Sequence, residues 1–196
     1  MRLLGAAVLG SLLVSAMSSA DIERALALAR ARDAERQQFH RRYIVDLEDP
    51  VVTRLEVTTE FRRLELMAEE HVLRGDWMFT RSLRAAQAAM APTHGLITLR
   101  AQLRFHPLNT FVESPPYAIA LGGTANGSLE PVETQITPQF SAPYKTRDRK
   151  TLSSLIGAVL EATVPAARIG QSVRALAVTL EGRSVARTTI DFSRLD

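Results

Sequence analysis

The chain contains no cysteine. That removes a disulfide framework, a thiol nucleophile and every cysteine metal site, so stability has to come from packing. Lysine is nearly absent as well: 2 of the 24 basic residues are Lys and the other 22 are Arg. With the abundant alanine, this is the composition of a GC-rich bacterial genome. There is one Trp, and aromatic residues make up 6% of the chain. No apolar run reaches the ~20 residues that a membrane-spanning helix needs.

Several chemistries are missing as motifs. There is no G-x-S-x-G nucleophile elbow, no G-x-x-x-x-G-K-[ST] phosphate loop and no H-E-x-x-H zinc helix. Gly122–Gly127 is glycine-rich but carries no Lys and no helix signal after it. No catalytic residue and no cofactor is assigned. The net charge of +3 is small. Residues 21–91 hold 12 basic and 13 acidic side chains, and residues 92–196 hold 11 and 8. Neither half has the concentrated basic stripe of a nucleic-acid binder. The one basic cluster, Lys145 to Lys150, reads as a solvated loop. Asn126-Gly127-Ser128 fits a glycosylation sequon, but the glycine-rich surroundings read as a turn.

What is present begins with an address. Arg2 precedes a charge-free run from Leu3 to Val14, and Ser18-Ser19-Ala20 places small residues before Asp21. This is the pattern of a secretory signal peptide over residues 1–20, cut between Ala20 and Asp21. An uncleaved anchor is the competing reading. The expected location is the periplasm or the cell exterior, with no membrane span left once the signal is removed.

The hydrophobic period changes near residue 92, which divides the mature chain into a helical region, 21–92, and a β domain, 93–196. Asp21 to Arg42 is rich in helix formers and carries a short apolar stripe at Ile22, Leu26 and Ala29. Asp49-Pro50 is a helix-start signal. Val57, Phe61, Leu64, Ala68 and Val72 then recur at helical spacing. The alternation of Val, Thr, Leu and Val over residues 51–57 would also suit a strand. Glu70 and Arg74 can pair across one turn. Gly75-Asp76 reads as the hinge of a helical hairpin, with Trp77 as a packing anchor and Phe79, Leu83, Ala86 and Met90 on the second helix.

From Leu96 the pattern alternates. Ile97, Leu99, Ala101, Leu103 and Phe105 point one way, and Thr98, Arg100, Gln102, Arg104 and His106 the other. Further strands are expected at Tyr117–Leu121, Val132–Thr137, Ile156–Val164, Val173–Leu180 and Val185–Phe192, with a long loop over 139–151. Residues 152–164 could be helical by propensity, but their alternation favours a strand. The last two strands flank Glu181-Gly182-Arg183-Ser184 as a hairpin. The fold class is therefore α+β: a long helix plus a helical hairpin, then an antiparallel sandwich of about six strands. Its strand count and spacing resemble the immunoglobulin-like or fibronectin type III architecture, without the paired Cys of antibody domains.

Three side-chain groups carry possible chemistry. Glu65 and Glu69 share a helical face and form the best metal candidate with His71, joined by His106 if the first strand folds nearby. However, His71 is turned about 200° from Glu69 at 3.6 residues per turn, so the set reads as a solvated face and no metal site is assigned. His40-Arg41-Arg42-Tyr43 and Arg104-Phe105-His106 mix cations with aromatics and could hold anionic or carbohydrate ligands. The weak ligand-site candidates are thus His71, His106 and Arg104. The expected function is an exported, non-enzymatic binding or interaction module whose partner is another envelope protein or surface component. The alternatives are a periplasmic metal- or carboxylate-dependent hydrolase, and an assembly protein docking through Ile22, Leu26 and Ala29.

Overall fold

The computed structural model describes residues 17–122, 129–145, 147–149 and 151–196. Most of the expected signal segment, the Asn126 sequon and most of the glycine-rich turn lie outside the described residues. The fold is α+β with antiparallel sheets. Among the described residues no helix is long and apolar enough to cross a membrane.

The N-terminal helical stretch is two helices. α1 (Ser19–Leu28) is capped by the Ser18 hydroxyl, which accepts from the Asp21 N–H. A turn at Ala29–Arg30 leads to α2 (Asp33–Arg41). The break corrects the expectation of one long helix, and its reason is packing. A straight helix from 21 to 42 would run about 33 Å and could not bring both ends to one core. Folded back, α1 buries Ile22, Ala25, Leu26 and Ala29 while α2 and the turn after it bury Phe39 and Tyr43. The Ile22–Leu26–Ala29 stripe is therefore spent inside the chain, at 4%, 3% and 0% exposure. That stripe is not available for docking on a partner.

β1 (Ile44–Asp46), which has no sequence signal of its own, pairs with β2 (Val52–Thr58). The ambiguous stretch before Thr59 is thus strand from Val52 onward. Asp49 does not start a helix. Its Oδ1 accepts from the Val51 and Val52 N–H groups, turning the chain into β2. The helix waits until Thr59, whose hydroxyl caps α3 (Glu60–Leu73). Of the expected stripe, Phe61, Leu64 and Ala68 are buried on α3 and Val72 half-buried, while Val57 belongs to β2; Glu70 pairs with Arg74.

Gly75, at φ +80°, closes α3, and Asp76 Oδ1 accepts from the Met78 and Phe79 N–H groups. The chain then makes a 3₁₀ turn at Phe79–Arg81, and α4 (Leu83–Met90) starts later under a Ser82 cap. Trp77 is half exposed and anchors nothing in the core, in contrast to its expected role.

β3 (Leu96–Arg104) buries Ile97, Leu99, Ala101 and Leu103, with Phe105 buried just beyond it. β4 (Tyr117–Leu121) has the expected bounds. β5 (Glu133–Phe140) runs on through Pro138, which an edge strand tolerates. The expected loop over 139–151 contains a small ladder between β6 (Tyr144–Lys145) and β7 (Thr151–Leu152). β8 (Leu155–Pro165) is a strand, followed by one short turn, α5 (Ala166–Ile169). β9 (Val173–Leu180) and β10 (Arg183–Asp191) form the expected hairpin about Glu181 and Gly182, both at positive φ.

One sheet runs β1-β2-β3-β8-β5 and a second runs β10-β9-β4. β2 pairs with β3 directly across the change of period near residue 92. Buried apolar side chains from both sheets and from α1 to α4 belong to one cluster.

β8 is an interior strand of the larger sheet, between β3 and β5, and Gly157 sits where it must approach β3 closely. A Cβ there would lie 2.3 Å from the Leu103 carbonyl oxygen, which is fixed backbone. Gly157→Ala is expected to cost about 2–4 kcal/mol, read as a lower urea midpoint at unchanged slope. A loss below about 0.5 kcal/mol would show that the strands part freely at this point.

Candidate functional sites

Two places concentrate chemistry. The first lies between α2 and α3. Glu65 and Glu69 are four residues apart on α3, hence on one face. Glu65 falls in the buried stripe with Phe61 and Ala68, and is fully buried. Arg36 and His40 are likewise four apart on α2 and face them. His40 Nε2 is 3.2 Å from Glu65 Oε2 and 3.3 Å from Glu69 Oε2. Arg36 Nε is 3.3 Å from Glu69 Oε1. Neither oxygen of Glu65 has a hydrogen-bond partner among the described residues. Burial first, and then the Glu69 carboxylate beside it, push the Glu65 carboxyl up to about 8, against the opposing pull of Arg36 and Arg62.

The ligand atoms of His40, Glu65 and Glu69 all lie within 4.8 Å of one another, the one such group of three among the described residues. The histidine that meets the two glutamates is therefore His40 and not His71. His71, farther along α3, turns outward. Its Nδ1 is 2.9 Å from Asp76 Oδ2 and its ring stacks on Phe79 at 4.0 Å. The Arg36/His40 stripe is the partner missed in the sequence. Arg36 and His40 share the i, i+4 spacing of the acidic pair, but nothing local in the sequence joins the two across 29 positions.

The second place is the connection from β3 to β4. Asn109 pins this loop, donating from Nδ2 to the carbonyls of His106 at 2.7 Å and Leu155 at 2.8 Å. Its Oδ1 accepts from the Phe111 N–H. The Phe111 ring is thereby set edge-on against Phe105 at 5.4 Å, while Phe105 stacks near Tyr117 at 6.1 Å. These rings, with Pro50, Val51 and Pro107, line a cavity of about 580 Å³ that Arg104 and His106 also border. Burial, and then the charge of Asp49, raise the Tyr117 hydroxyl above its usual range. His106 is exposed, and its Nδ1 accepts from the Leu108 N–H. The Arg104 side chain is exposed and makes no hydrogen bond or ion pair among the described residues. Leu108 and Val112 project from the same loop at 84% and 87% exposure.

No family model, curated protein or solved structure matches the chain. The reading of its function rests on these two places.

Of the sequence candidates, Arg104 and His106 border one cavity together. Glu65 and Glu69 form the acidic half of the other place, and His71 belongs to neither.

Proposed function

We propose that the chain is an exported, non-enzymatic interaction module of the cell envelope. In this reading it holds an apolar segment of a protein partner in the cavity beside Phe105, Phe111 and Tyr117. The observation that carries the reading is the cavity together with its exposed flanks. Three large apolar side chains, Leu108, Phe111 and Val112, occupy one short loop at 84%, 45% and 87% exposure. Contiguous apolar surface of this kind marks interaction sites on soluble proteins. Arg104 at the rim, which has no side-chain partner among the described residues, suits a carboxylate on the same partner.

The signal-like N-terminus supports export, and the missing catalytic motifs support a binding role. The hydrolase alternative would have to use the α2–α3 cluster. There Glu65 is fully buried and the side chains of His40 and Glu69 are 18% and 17% exposed, which leaves little room for a substrate. We also read the five- and three-stranded sheets as layers of an immunoglobulin-like sandwich. Support comes from Ile119 and Leu121 of β4 sharing one buried cluster with Ala158 and Leu160 of β8.

A photo-reactive residue at position 108 or 112, introduced into the exported chain in cells, is expected to cross-link one envelope protein. The same residue at Arg183 is expected not to. Phe111→Ser should weaken the adduct about tenfold, equivalent to ~1.4 kcal/mol of binding. Adducts only with lipid, only with a second copy of this chain, or none at all would overturn the reading.

A further inference from the structure

We propose that His40, Glu65 and Glu69 form a binding site for one divalent transition-metal cation of the zinc type, which clamps α2 to α3. Three independent features converge on it.

The first is spacing. Ligands bound to zinc at about 2.0–2.1 Å in a tetrahedron stand about 3.3–3.4 Å from one another. His40 Nε2 lies 3.2 and 3.3 Å from the two carboxylate oxygens. Two of the three donor–donor distances thus match the edge of such a tetrahedron, and the third, between the two carboxylates, is within 4.8 Å.

The second is the state of Glu65. It has no exposed surface, and although His40 Nε2 stands 3.2 Å from Oε2, neither oxygen has a hydrogen-bond partner among the described residues. A buried carboxylate is normally paired, hydrogen-bonded or bound to a metal. An acidic cluster on the surface would not show this feature, because water would serve its oxygens.

The third is the donor set. One imidazole nitrogen and two carboxylates balance a double positive charge and mix the nitrogen and oxygen ligands that zinc accepts. Calcium and magnesium take oxygen ligands, six or more of them, which these three side chains do not offer. Arg36 completes the arrangement from outside. Its Nε stands 3.3 Å from Glu69 Oε1 as an ion pair, on the opposite oxygen from the one facing His40. The fourth position is open to Glu65 Oε1 or to water. Since the site is closed by packing, its role is to hold two helices together.

The test is titration of the full chain, purified without chelator and then stripped, with zinc chloride alone. One zinc per chain is expected. His40→Gln and Glu69→Gln should each weaken binding tenfold or more. Two other histidines also stand beside carboxylates, His71 with Asp76 and His94 with Glu60. His71→Asn and His94→Asn should leave the affinity within about twofold. Cobalt in place of zinc should give the intense visible bands of a tetrahedral nitrogen–oxygen site, and these should vanish in Glu65→Gln, which keeps the side-chain shape. No saturable binding up to about 100 μM zinc by the folded chain would overturn the proposal. So would binding that survives His40→Gln and is lost with His71 or His94.

Discussion

Replacing Arg62 with alanine is expected to cost about 3–5 kcal/mol of folding stability, the largest loss foreseen for any single polar side chain here. Arg62 is 2% exposed and lies on the core face of α3. Its Nη1 donates to the Val57 carbonyl at 2.5 Å, and its Nη2 pairs with Glu56. The guanidinium also sits 5.1 Å over the Tyr43 ring. One side chain thus ties α3 to β2 and to the segment joining α2 to β1. Truncation leaves a cavity, a lone carboxylate at Glu56 and a carbonyl without its charged donor, and these costs add. The pair itself is less valuable than its rupture is harmful, because burying a guanidinium costs desolvation, and Arg62 Nε is left without a partner among the described residues. The double variant Arg62→Met with Glu56→Gln is therefore expected to lose only about 1–2 kcal/mol. Urea denaturation of wild type and both variants decides the matter. A loss below about 1 kcal/mol in Arg62→Ala would mean that the guanidinium contributes nothing beyond its volume.

Glu65 should give the metal-free chain an unusual pH dependence. The carboxyl sits at about 8 in the fold against an ordinary value of 4.5. The folded protein therefore keeps a proton that the unfolded chain has already released. Stability is full below about 4.5 and falls as pH rises toward about 8, since the native state binds more protons over that range. The groups facing Glu65 are Glu69 and Arg62 from α3 and Arg36 and His40 from α2. The two glutamates oppose each other's ionisation and the arginines favour it. Glu65→Gln removes the titrating proton while keeping the shape. It is expected to be roughly neutral at pH 5 and to stabilise the chain by about 2–4 kcal/mol at pH 8. Asp76 and Asp191 are held below the usual carboxylate range by hydrogen bonds from His71 and Ser193. Their contribution is lost only in stronger acid, outside this window. Denaturation with chelator present at pH 5, 6.5 and 8 gives the answer. Equal slopes for wild type and Glu65→Gln would show that another group carries the dependence.

The half-buried strands were legible because period-two alternation is a strong signal where one face is wet. β3 buries four of the five expected residues and Phe105 is buried just beyond it, and β4 and β9 have the expected bounds. β1 was not legible: at three residues it has no period, and it exists only because β2 offers a partner. The break between α1 and α2 was hidden for a related reason. Ala, Arg and Glu favour helix throughout, and only the need to bury Ile22 and Phe39 in one core bends the chain. Asp49-Pro50 misled because Asp followed by Pro serves a turn into a strand as well as a helix start.

The acidic half of the α2–α3 cluster could be read from the sequence. Glu65 and Glu69 share a face at any helical geometry. Their histidine could not be read, because His40 and Glu69 are 29 positions apart, and that separation is closed only by the packing of two helices. His71 was the near choice along the chain, and helical rotation took it away. Arg62 shows the opposite failure. A cation in an amphipathic helix reads as surface, and nothing local announces that Glu56 and the Val57 carbonyl will accompany it into the core.

The order β2-β3-β8-β5 has a consequence for how the chain gets made. β3 lies at the middle of the larger sheet, yet its second neighbour, β8, is separated from it by the whole stretch from Phe105 to Ser154. β5 precedes β8 in the chain but can join the sheet only after it. During synthesis the sheet therefore stops at β1-β2-β3, with the far edge of β3 unpaired until β8 emerges. Closing that long loop is an entropic cost incurred before any contact repays it. Folding should be slow and late, keeping the chain open while most of it is being made. For a chain exported as proposed, threading through a membrane pore before folding, that delay is useful.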